Sequence, residues 1–68
     1  ADAAAARLTA RMREAGEEAF KRARQYDALG RKAEAIAQYE RALQWLPPDH
    51  ESRKIAQERL DALKGGIL

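Results

Sequence analysis

The sequence predicts an all-α fold: an antiparallel three-helix arrangement in which a helical hairpin is closed by a C-terminal capping helix and the first helix is much the longest. Two observations lead there. Sixteen of the 68 residues are alanine, and leucine, glutamate, lysine, arginine and glutamine fill much of the rest, so intrinsic propensity favours helix almost everywhere. Strong punctuation is confined to Gly30, Pro47-Pro48 and Gly65-Gly66, which cuts a single domain, residues 1–68, into three helical stretches and a tail at 65–68.

The first helix is expected over about residues 3–29. Apolar or small residues at Ala5, Leu8, Met12, Ala15, Ala19, Ala23 and Tyr26 recur at spacings of three and four and form one stripe. Gly16 interrupts this stretch at a cost of about 1 kcal/mol relative to alanine, but the stripe keeps its phase across it. Glu17 with Lys21 and Glu18 with Arg22 add charge pairs one turn apart, and Arg24 with Asp27 forms another at three residues. Gly30 supplies the left-handed residue that ends the helix and turns the chain back.

The second helix, about 31–46, presents Ala35, Ile36, Tyr39, Ala42, Leu43 and Leu46 on one face and stops at Pro47, which cannot donate the next backbone hydrogen bond. Asp49 is the expected N-cap of a third helix over about 50–64, with Ile55, Ala56, Leu60 and Leu63 facing the hairpin and Gly65 past its end.

Helices of about fifteen residues cannot cover a first helix nearly twice that length. Leu8 and Met12 are therefore expected to lie exposed in a monomer and to pack against a second copy or a neighbouring segment, giving a homo-oligomer through helix 1. The opposing expectation is that the first dozen residues fray, because an alanine stripe buries little area.

Composition narrows the function classes. A core of this size supplies only about 3–5 kcal/mol, and without cysteine no disulfide can reinforce it. One histidine makes a structural metal site untenable, so no metal and no cofactor is expected. His50 lies between Asp49 and Glu51 at a helix start, where it reads as a capping or solvated residue. Ser52 and Thr9 have no glycine elbow around them, so catalysis is not expected either. The net charge is +2 with 35% charged residues of both signs, the pattern of solvated helix faces. Acidic neighbours break the basic groups at Arg7, Arg11 and Arg13 and at Lys21, Arg22 and Arg24, so no nucleic-acid partner is expected. No apolar run approaches the roughly 18 residues of a membrane span, which leads to the expectation of a soluble, cytoplasmic chain without membrane insertion.

Ala23, Tyr26, Gly30, Ala35, Tyr39, Ala42 and Pro47 together resemble a tetratricopeptide (TPR) repeat, in which small, aromatic and proline sites recur over a helix-turn-helix unit of this length. The match covers about half the chain. Ala19 and Arg22-Ala23 stand where that family carries a tryptophan and a Leu-Gly pair. The resemblance implies a protein or peptide partner lying against the first helix, on a face bearing Glu17, Phe20, Arg24 and Asp27, with the third helix as a solvating cap. Phe20 and Arg24 occupy the sites of the lysine and asparagine used by the carboxylate-clamp members, so capture of chaperone tails is not implied. The run Tyr26 to Ala35, followed by Tyr39 and by Glu58 to Lys64, also resembles the microtubule-interacting and trafficking (MIT) domain, a free-standing three-helix bundle that binds tails of membrane-remodelling proteins. Helix two stops about a turn short of that pattern.

The functional expectation is a non-enzymatic protein-protein interaction or oligomerisation module of TPR-like type. Its alternatives are an MIT-like peptide binder and a structural or designed assembly unit without a ligand. Two aromatic residues carry open readings. Phe20 is either core beneath helix three or a peptide anchor. Trp45 is either an interface residue or a cover over the start of helix three, packed on Ile55.

Overall fold

The computed structural model describes the backbone of residues 2–65 and the side chains of residues 10–65. It contains α1 (Asp2–Ala28), α2 (Lys32–Trp45) and α3 (Glu51–Leu63), and among the described residues no strand. The all-α, three-helix expectation holds, as does the long first helix, which runs unbroken through Gly16.

Each turn has a local cause. Gly30 takes φ 77°, and Arg31 N–H donates to Tyr26 O at 2.9 Å while Gly30 N–H donates to Asp27 O at 3.1 Å. This pair of bonds satisfies the last carbonyls of α1 and reverses the chain. At the end of α2, Leu46 leaves helical geometry with ψ 142° because it precedes Pro47, whose ring disfavours a helical predecessor. Gly65 takes φ 74° and donates to Ala62 O at 3.2 Å, ending α3 in the same left-handed manner as α1.

The N-cap of α3 corrects the sequence expectation. It is His50, not Asp49: the His50 Nδ1 accepts the Ser52 N–H at 3.1 Å. The residue next to the helix wins because its ring nitrogen reaches the amide two positions on, which is the geometry a cap requires.

Packing follows from small residues. Ala23, Ala35, Ala42 and Ala56 are fully buried, and their lack of bulk lets the helix axes approach closely. One core cluster joins Ala23, Ala35, Tyr39, Ala56 and Leu60 across all three helices; a second joins Ala19, Ala42 and Leu46 between α1 and α2. Phe20 packs against both. α3 lies chiefly on α2 and barely touches α1.

Two members of the expected apolar faces are not in the core. Ile55 is 43% exposed, because α3 turns Ala56 and Leu60 toward α2 and leaves Ile55 at the edge of that face. Ala15 is exposed because α2 ends opposite Gly16. Residues 10–15 of α1 are all exposed, so this helix overhangs the hairpin, and Met12 is 37% exposed. The Leu8 side chain lies outside the described residues.

Candidate functional site

A polar joint links the three helices at one end of the hairpin. The Tyr39 ring is buried, and its hydroxyl donates to Asp27 Oδ2 at 3.0 Å. Arg59 of α3 grips the same carboxylate with two bonds, Nε to Oδ2 and Nη2 to Oδ1, both at 2.8 Å. The Asp27 side chain is only 17% exposed, and this two-pronged geometry is among the stronger forms of ion pair. Hydrogen bonding from Arg59 holds the Asp27 carboxyl below its ordinary pKa against the opposing effect of burial, with Tyr39 assisting. Burial first, and Asp27 second, push the Tyr39 phenol up.

The sign of the acid response follows from that depression. A carboxyl with a lowered pKa in the folded state stabilises the fold above the unfolded value and loses that contribution as pH falls through the folded one. Thermal melts should therefore show wild-type stability declining below about pH 4, with a smaller decline in Asp27→Asn. Equal acid sensitivity in the two proteins would contradict this account.

A second link sits at the other end of α3. His50 Nε2 lies 2.9 Å from Glu17 Oε2. Because Nδ1 accepts the Ser52 amide, the proton belongs on Nε2, which donates to Glu17. Both ring nitrogens are thus engaged within the fold. The weakly contacting pair α1 and α3 is tied at Glu17–His50 and at Asp27–Arg59, close to the two ends of α3. Arg53 adds a bridge from α3 to α2, donating to Leu43 O and to Leu46 O.

These links account for two of the four residues expected on the ligand face. Glu17 serves His50, and Asp27 serves Arg59 and Tyr39 in place of the local Arg24 pairing. Phe20 meets Tyr39 edge to face, with centroids 6.1 Å apart, and the Arg24 guanidinium lies 5.8 Å from the Phe20 ring centre. Arg24, Asp27, Ala28, Tyr39, Ile55 and Arg59 line an open cleft of about 360 Å3.

Two further clefts meet at Trp45, which is half-buried. On one side, Met12, Leu43, Leu46, Pro47 and Pro48 join it in an apolar groove of about 460 Å3 beneath the overhang of α1. On the other, Ala15, Glu18, Ala19 and Arg22 of α1 face Gln38, Arg41 and Trp45 of α2 across a groove of about 260 Å3. Gln38 Oε1 is buried there without a hydrogen-bond partner among the described residues. Sequence reasoning had no signal for Arg59, Gln38 or Arg41, whose roles depend on helix pairing across the fold.

Among the described residues no three histidine or acidic side chains gather as a metal site, and no helix is long and apolar enough to cross a membrane. No family model matches this chain, and no curated protein or solved structure matches it either.

Proposed function

We propose that this chain is a non-enzymatic protein-protein interaction or oligomerisation module of TPR-like type, which assembles through α1. The observation that carries this reading is the overhang. A helix of 27 residues pairs with one of 14, and residues 10–15 of α1 are all exposed. An isolated helix as short as the overhang is marginal in water, and most helical stability comes from packing, so the overhang gains from a partner what the rest of α1 gains from α2. The apolar groove at Met12, Trp45 and Pro47 continues the same end of the molecule. The TPR resemblance fits this reading, since a repeat hairpin normally stacks on a neighbour.

Removal of residues 1–12 tests the proposal. Light scattering of the full chain should give a dimer or larger species and the shortened chain a monomer. An unchanged mass on truncation would refute assembly through α1.

A further inference from the structure

The charges on α1 have an order that specifies how two copies meet. Residues 7, 11, 14 and 18 are spaced by four, three and four, which places them on one face of the helix. That face reads Arg7, Arg11, Glu14, Glu18: two positive charges followed by two negative. It is distinct from the stripe Gly16, Ala19 and Ala23 beneath α2, and it borders the groove formed by Ala15, Glu18, Ala19, Arg22, Gln38, Arg41 and Trp45. A parallel pairing in register would set like charges together. An antiparallel pairing about a twofold axis between residues 12 and 13 sets every charge against its opposite: Arg7 against Glu18 and Arg11 against Glu14, each twice.

We propose that a second copy of this chain docks antiparallel along the Arg7, Arg11, Glu14, Glu18 face, the N-terminal half of its α1 seated in the groove beside Gln38 and Trp45. The proposal rests on α1 as the assembly helix and adds its face, orientation and register.

Two features of the groove suit that occupant. The incoming segment carries Ala3 to Ala6, and small residues allow a helix to approach the alanine-lined wall of α1. The overlap, about residues 3–22 of each copy, runs roughly 30 Å at the rise of an α-helix. The Glu18 contact with Arg22 is a single 3.5 Å approach between side chains more than half exposed, so it yields readily to a competing arginine.

The test is a charge swap in the full chain, read by sedimentation equilibrium with circular dichroism to verify helicity. One variant carries Arg7→Glu and Arg11→Glu, the second Glu14→Arg and Glu18→Arg, and a third combines all four. Each double variant alone should be monomeric, since its face bears one sign. The equimolar mixture of the two, and the quadruple variant, should dimerise like wild type, and wild-type affinity should fall about tenfold or more when NaCl is raised to about 1 M. Dimerisation of both double variants at wild-type strength would overturn the proposed face while leaving assembly through α1 standing. A mixture and a quadruple variant that both remain monomeric would overturn the antiparallel register. A wild-type chain that is monomeric at every concentration would overturn the self-docking and the assembly reading together.

Discussion

Tyr39→Ala is expected to unfold the chain. Tyr39 is 1% exposed and is the only large side chain so completely enclosed among the described residues. Its ring touches the core shared by all three helices, meets Phe20 edge to face, and carries the hydroxyl that donates to Asp27. Truncating a buried aromatic residue to alanine costs about 3–5 kcal/mol. A single core in a chain of 68 residues supplies about the same amount, so little stability would remain. Tyr39→Phe keeps the ring and loses one hydrogen bond, a cost of about 0.5–1.5 kcal/mol that the fold should survive. Far-UV circular dichroism with urea unfolding separates the two. A cooperative transition in Tyr39→Ala at the wild-type midpoint would contradict the assignment of Tyr39 as the centre of the core.

Gly16→Ala should destabilise the protein even though alanine is the better helix former. A Cβ at this position would lie 2.8 Å from Leu46 Cγ and 2.9 Å from Leu46 Cδ2 and from the Leu46 backbone nitrogen. The side chain can rotate away; the backbone cannot easily do so, because Leu46 N–H closes the end of α2 on Ala42 O at 2.8 Å. Overpacking costs about 1–3 kcal/mol, and the gain in helix propensity returns about 1 kcal/mol. The net loss, up to about 2 kcal/mol, corresponds to a fall in Tm of up to roughly 8–16 °C for a domain of this size. A rise in Tm, the ordinary result at an exposed helical glycine, would show that α1 and α2 do not approach as closely as described.

Gly16 also marks where the sequence was least legible. Read alone, it is an interruption in a helix, because its reason lies thirty residues away in Leu46. The three helices themselves were legible: alanine content, the stops at Gly30 and Pro47 and the three-four spacing act locally, and local causes survive in the linear order of residues. The α3 register was harder. Ile55 and Ala56 are neighbours, and a short helix with few apolar residues leaves open which of them turns inward until α2 is in place. The same limit applies to the polar joint. Asp27 and Arg24 are natural helix-surface partners, yet Arg59 reaches Asp27 with two bonds because α3 brings it alongside. His50 displaced Asp49 as cap for a reason equally local to the folded turn, where its ring meets both Ser52 and Glu17.

The links between α1 and α3 explain how a small protein holds a third helix that barely packs on the first. Glu17–His50 and Asp27–Arg59 fix its two ends, and the apolar contact with α2 fills the span between them. The side of α1 away from α3 is left to the charged face and the groove at Gln38 and Trp45, and its free length projects beyond both partners. Internal cohesion and the proposed assembly surface thus lie on different sides of one helix, so charge substitutions on the second should leave the first intact.

Absolute mass in solution, measured by light scattering across a wide concentration range, decides whether the chain self-associates. Assembly through α1 should raise the mass with concentration from the 7.6 kDa of one chain to twice that value. A constant 7.6 kDa at every concentration would contradict it.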